Sequence, residues 1–251
     1  LDNTMTNYTM TGTESESWFY LIMIAIEGIG GNILEDILGL PEHMKNKNNQ
    51  VISDFLCKCN FTIKNMTKII KRMYEKCKQE IFFNQIRIYL AGSHNRYLMN
   101  GLTIEGINET FHFVGGSASQ RTLIQVYDSL FGIEHEGYSK EFLKSQRVYM
   151  PKKHQKYLIH VENQPKLGKY IYSIEDQQLI EMFNNCVNQL KTFRQVHLGI
   201  VYSYIMKFIK NENNNVHGNK GSGGTNPVEF LKDVINKNRM ALIQNQKSNH
   251  L

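Results

Sequence analysis

His197 stands where a helix should carry an apolar side chain. Read at helical spacing, Leu190, Phe193, His197, Ile200, Val201, Tyr204 and Phe208 share one face, whereas Lys191, Gln195, Tyr202 and Lys207 fall elsewhere. Two roles suit an imidazole in such a stripe. One is a core histidine whose ring nitrogens bond to neighbours. The other is a metal ligand, and a neutral ring on a rigid apolar helix suits iron held in a flat macrocycle. Neither His nor a carboxylate stands three or four residues further on, so the helix by itself does not build a zinc site.

Other residues could join such chemistry. Arg194, on the neighbouring flank, is either a solvated arginine or a cation for a carboxylate at the edge of a ligand held by His197. Asp128 sits between Ile124 and Phe131 on a largely apolar helix. A carboxylate buried there needs a cation, and Arg194 is one candidate. The stretch "FVGGSASQ" (Phe113 to Gln120) reads as a loop with a serine cap, or as small-residue backbone that a flat ligand can approach closely. It lacks the Lys-Ser/Thr of a phosphate-binding loop. In "FFNQIRIYLAG", Phe83 and Arg87 are four residues apart, with Phe82 about 140° round a regular helix from Arg87. That is either a core aromatic pair with a surface arginine, or an aromatic wall beside a cation suited to an aromatic carboxylate.

The elements that must position these residues read as helices. One runs through "WFYLIMIAIEGIGGNILEDILGL", capped by Ser15 or Ser17 and ended by Pro41. Gly28, Gly30 and Gly31 inside it predict close packing or a kink. Two helices are expected in "NNQVISDFLCKCN" and "FTIKNMTKIIKRMYEKCKQ", then one in "EIFFNQIRIYLAG" and one in "QRTLIQVYDSLFGI". Pro151 separates two shorter ones. A long helix, whole or interrupted, spans Ser173 to Lys210, and Pro227 opens the last. With no repeat and no strand pattern, the expected fold is all-α in a single domain.

Composition narrows the classes further. The 251 residues are 41% hydrophobic, enough for one substantial core. The longest apolar run, Trp18 to Ile26, is about half what a bilayer requires, so no membrane span is expected. A net charge of +6 is scattered, without a dense basic run among aromatics, which argues against a nucleic-acid partner. The four cysteines show neither zinc spacing nor a disulfide framework, which fits a reducing, cytoplasmic setting.

The stretches "WFYLIMIAIE", "FFNQIRIYLAG", "GLTIEGI", "FVGGSASQ", "YDSLFGI", "RVYMPKKH", "FRQVHLGIVYSYI" and "KGSGGTNPVEFL" together resemble the indoleamine 2,3-dioxygenase family, in its order and with similar spacing. That family includes haem dioxygenases and some molluscan myoglobins. The resemblance implies the all-α fold of the family's large domain, with haem b between helices. It implies that residues 1–251 form a haem-binding catalytic domain in which 211–226 is a flexible loop, and that the family's smaller N-terminal domain is absent.

By the same resemblance, His197 is the proximal haem-iron ligand, Arg194 meets a haem propionate, and Asp128 is its acidic partner. Gly116, Ser117 and Ala118 form the distal segment. Phe82, Phe19 and Leu90 line the substrate pocket, and Arg87 holds the substrate carboxylate. Ser222 and Thr225 supply the hydroxyls of a mobile loop that closes on substrate. Met23 stands where mammalian relatives carry a distal serine, and its thioether narrows the pocket. The implied reaction is L-tryptophan, or a related indoleamine, plus O2 giving N-formylkynurenine, the entry to the kynurenine pathway. An unidentified electron donor would keep the iron reduced, and the protein would act as a monomer. The alternative is a non-catalytic O2-binding haem protein like the family's myoglobins.

Overall fold

The computed structural model describes residues 1, 3–93, 100–209 and 225–244. It is helical nearly throughout, in the order α1 (Glu14–Gly30), α2 (Leu34–Lys45), α3 (Asn49–Lys71), α4 (Met73–Lys76), α5 (Gln79–Ile81), α6 (Arg87–Leu90), α7 (Thr122–Phe131), α8 (Gly137–Gln146), α9 (Lys152–Glu162), α10 (Leu167–Ile174), α11 (Gln177–Val201), α12 (Lys207–Ile209) and α13 (Pro227–Met240). Two π-helical turns, Phe82–Ile86 and Tyr202–Met206, join α5 to α6 and α11 to α12. A minimal antiparallel hairpin, β1 (Leu102–Thr103) with β2 (Thr110–Phe111), pairs Leu102 with Phe111 and was not foreseen. Among the described residues no helix is long and apolar enough to cross a membrane.

Helix α3 is the centre post. Ile52, Phe55, Leu56, Cys59, Ile63, Met66 and Ile70 form one buried stripe along it. The expected break near Asn60 does not occur, because the buried stripe runs on past it with neither glycine nor proline to stop the helix. Helices α1 and α11 pack along α3, and α13 covers the other side of α11. The main core joins them through side chains such as Ile22, Ile33, Val126, Tyr127, Phe183 and Leu190. Each such side chain, fully buried, contributes about 1.5–3 kcal/mol before entropy.

Three details of the expected elements differ. Helix α1 is capped by Thr13, whose side chain accepts from the Glu16 N–H, rather than by Ser15 or Ser17. Pro41 lies inside α2 and does not end it, since Ile37, Leu40 and Met44 continue a buried face past it. The long C-terminal helix begins only at Gln177, after Glu175 turns left-handed at φ 53° and Asp176 caps the new helix. Among the three glycines, Gly30 is where close packing occurs. A Cβ there would lie 2.3 Å from Leu123 Cδ2 and 3.0 Å from Met66 Sδ, so its absence lets α1 sit against α3 and α7. The 3-10 turn Gly31–Ile33 then redirects the chain into α2.

Candidate functional site

A cavity of about 410 Å³ opens between α1, the Phe82–Ile86 turn, α11, the Tyr202–Met206 turn, α13 and the segment Gly116–Arg121. Its size is that of a small-molecule or cofactor pocket. His197, Phe19, Phe82, Met23, Leu90, Gly116, Ser117, Ala118 and Thr225 all line it, so most of the residues singled out above come together although they are up to two hundred positions apart.

The aromatic wall is built from two π-turns that face each other. Phe19 meets Phe82 at 5.2 Å between ring centroids, and Phe82 meets Tyr204 edge-on at 5.7 Å. A π-turn inserts one extra residue into the helical register, a device frequent at functional sites. Consecutive side chains point about 100° apart on a helix, and here Phe82 lines the cavity while Phe83 stacks on Phe208 at 5.1 Å. Tyr204 is anchored by its hydroxyl, which donates to the carbonyls of Met73 (3.1 Å) and Cys77 (2.7 Å). The chain that carries Phe82 is itself fixed to α1, because Trp18 Nε1 donates to the Arg72 carbonyl at 2.8 Å and the Lys78 N–H donates to Ser15 Oγ at 3.0 Å.

His197 projects from the last turns of α11. Burial pushes its pKa down to about 4, so the ring is neutral at physiological pH. Among the described residues none hydrogen-bonds to it. A neutral imidazole with its nitrogens uncommitted in an apolar cavity is a donor looking for a Lewis acid. No group of three His, Cys, Asp or Glu among the described residues could hold a metal ion. A single imidazole therefore suits a metal that brings its other ligands with it, as in a macrocycle.

The segment above the cavity is held by side-chain amides. Ser117 caps a 3-10 turn, with Gln120 closing a capping box back onto the Ser117 N–H. Gln120 Nε2 also donates to the Gly115 carbonyl (2.9 Å) and to Gln146 Oε1 (3.1 Å), and Gln125 Nε2 donates to the Ser119 carbonyl (3.0 Å). Upstream, Gly92 at φ +55° bridges to Val114. A Cβ there would lie 2.5 Å from the Phe113 carbonyl oxygen, so only glycine fits. At Gly116, by contrast, a Cβ would meet only Leu90 Cδ2, at an ordinary 3.7 Å. The space over that backbone belongs to the cavity.

Asp128 and Arg194 do pair, at 2.5 Å and both buried, but behind the cavity and not on its lining. Arg194 Nη2 donates to Asp128, and Nη1 donates to Asn238 Oδ1 and, at 3.5 Å, to the Val234 carbonyl. Contact with a propionate would compete with these bonds. Burial alone would raise the Asp128 carboxyl; the Arg194 guanidinium and the hydrogen bond from His135 outweigh it and hold the group below the usual carboxylate range. His135, at 2.8 Å, is the partner that sequence reasoning missed, for it follows the Gly132 helix stop with no periodic signal.

Arg87 is buried with its guanidinium 5.2 Å over the Phe83 ring and is not among the residues that line the cavity. Ser222, expected beside Thr225 in a closing loop, lies outside the described residues, as do 211–224 generally. Tyr20 and Arg121 line the cavity without having been anticipated.

Fold and site thus define an all-helical protein with one neutral imidazole facing an aromatic-walled apolar pocket. The profile described as Indoleamine 2,3-dioxygenase matches residues 1–241, and the chain belongs to that family. It is similar to indoleamine 2,3-dioxygenase 1 of Rattus norvegicus, 31% identical over 94% of this chain and 61% of the relative. The Saccharomyces cerevisiae indoleamine 2,3-dioxygenase is 32% identical over 91% of this chain and 53% of its own length. A 6-hydroxytryptophan 2,3-dioxygenase of Fusarium equiseti is 32% identical over 94% and 63%. The chain therefore spans between 53% and 63% of the length of these relatives.

Proposed function

We propose that this chain carries the haem-binding part of a dioxygenase that adds O2 across the indole C2–C3 bond of L-tryptophan, or of a related indoleamine, to give an N-formylkynurenine. The observation that carries this reading is His197: a neutral imidazole, uncommitted among the described residues, on the wall of an apolar cavity large enough for a flat ligand. Haem b is the cofactor these residues would hold: His197 would bind its iron through a ring nitrogen, and the Gly116–Ala118 backbone would leave room beside it. When bound, haem supplies O2 binding and activation.

The chain's own residues do the rest. Phe19, Phe82 and Tyr204 offer an aromatic surface on which an indole packs at low entropic cost. The apolar lining, Met23 and Leu90 included, keeps water from the reacting carbons. Ser117 and Ser119 share a hydroxyl–hydroxyl hydrogen bond of 2.6 Å, so the segment carries polarity without a strong base. Arg87 holds the substrate carboxylate after its guanidinium turns from Phe83 toward the cavity, and Thr225 closes the C-terminal side. Arg194 and Asp128 would act from behind, fixing the turn of α11 that presents His197, with Arg194 the cation that a haem propionate would draw on.

The test begins with hemin. Folded protein given hemin develops a Soret band. His197→Ala loses it, and added imidazole restores it. Reduced, haem-loaded protein then turns over L-tryptophan or 6-hydroxytryptophan in the presence of O2. Well-folded protein that stays colourless with hemin overturns the reading. A second reading rests on the position of Arg87 away from the cavity: a haem protein that binds O2 reversibly. It predicts a stable oxy spectrum and no product from either substrate.

A further inference from the structure

A second cavity, about 280 Å³, lies on the far side of Asp128 between the end of α7 and helices α8 and α9. Nothing in the reaction proposed above uses it. Its lining carries four cations, Lys140, Lys144, Arg147 and Lys166, and three acids, Asp128, Glu134 and Glu162.

The acids are mostly spoken for. Asp128 is paired with Arg194 from behind and bonded to His135. Glu162 takes a bidentate contact from Arg147, at 2.6 and 2.9 Å. Arg147 also donates to Gln125 Oε1 at 2.9 Å, which locks the guanidinium in place. Among the described residues Lys140, Lys144 and Lys166 have no carboxylate within ion-pair distance; Glu134 is the remaining acid on the lining, and Glu136, which also feels the charge of Lys140, is paired with Lys237. A second, independent observation points the same way. His135 lines the cavity with a side chain only 8% exposed, and its Nδ1 is buried without a hydrogen-bond partner among the described residues. With Nε2–H given to Asp128, Nδ1 is the ring atom left over, and the O–H of a hydrogen phosphate would satisfy it.

We propose that this cavity is a binding site for a small oxyanion, a phosphate or a carboxylate, held by Lys140, Lys144 and Lys166 with His135 at its edge. The helix ends that reach it do not oppose this strongly. The α7 terminus is closed by the Gly132 and Ile133 N–H groups, and Lys166 Nζ already donates to the Glu162 carbonyl at 2.7 Å. The inference does not depend on what the first cavity binds.

The experiment is calorimetric titration of the full chain with inorganic phosphate and, separately, with succinate, at constant ionic strength set by sodium chloride. The comparison is Lys140→Gln/Lys144→Gln, two exposed positions whose change leaves the core intact, verified by circular dichroism. Saturable binding of either probe, weakened about tenfold or more in the double variant, is expected. Phosphate binding alone assigns the site to phosphate, and succinate binding alone to carboxylates. Absence of saturable binding of both probes, or affinities unchanged in the variant, overturns the proposal.

Discussion

Asp128→Asn removes one charge from a pair that is almost wholly out of water: the Asp128 side chain is 7% exposed and that of Arg194 4%. The amide keeps the shape, so the change is electrostatic. Arg194 would remain buried with neutral acceptors alone: Asn238 Oδ1, the Val234 carbonyl and the new amide oxygen. Breaking a buried pair on one side typically costs about 3–5 kcal/mol, because the surviving charge stays desolvated. For a chain of this size that lowers the melting temperature by about 6–20 °C. Arg194→Met should cost a similar amount, somewhat less if His135 keeps the carboxylate company. Replacing both, as Asp128→Asn/Arg194→Met, leaves no orphaned charge, so the double variant should be more stable than the sum of the singles by about 2 kcal/mol or more. Urea denaturation followed by circular dichroism measures all four proteins. A cost for Asp128→Asn below about 1 kcal/mol, the range of an exposed pair, would refute the buried geometry, and so would strict additivity.

The same pair sets part of the acid limit. The Asp128 pKa is depressed in the folded state, so its stabilisation is complete above the unfolded value of about 3.9 and is lost as pH falls through the folded value. Denaturation midpoints measured from pH 6 down to pH 2.5 should therefore fall less steeply for Asp128→Asn than for the wild type, and parallel curves would contradict this. Gly30→Ala should destabilise by about 1–3 kcal/mol through its clash with Leu123 and Met66, whereas Gly28→Ala, with nothing within 4 Å, should be neutral or stabilising by up to about 1 kcal/mol. Thermal melts of the two variants give the order, and an equal effect would place the close contact elsewhere. Tyr204→Phe should cost about 1–2 kcal/mol for two carbonyls left short of a donor, while keeping the ring that faces Phe82. If the aromatic wall receives the indole, the KM for L-tryptophan should change little in this variant and rise several-fold in Tyr204→Ala.

The all-helical class, the positions of most helices and the apolar face bearing His197 could be read from residue order. Helical periodicity, proline and capping residues are local signals, and Pro227, Pro151 and the Ser117 cap acted where expected. The Asp128–Arg194 pair was also legible, because a carboxylate in an apolar stripe demands a buried cation and few candidates share its surroundings. What periodicity could not supply were the two π-turns, for one inserted residue changes which side chains face inward without changing the composition of the segment. Phe82 lies on the cavity and Arg87 over Phe83, the contact their spacing of four residues allows, so this arginine is not among the residues that line the pocket. His135, the amide network that holds Ser117 to Gln120, and the second cavity depend on contacts between segments far apart in the chain. Such contacts are settled by how helices pack and which polar groups must be satisfied once water is excluded, and these conditions exist only in the folded molecule.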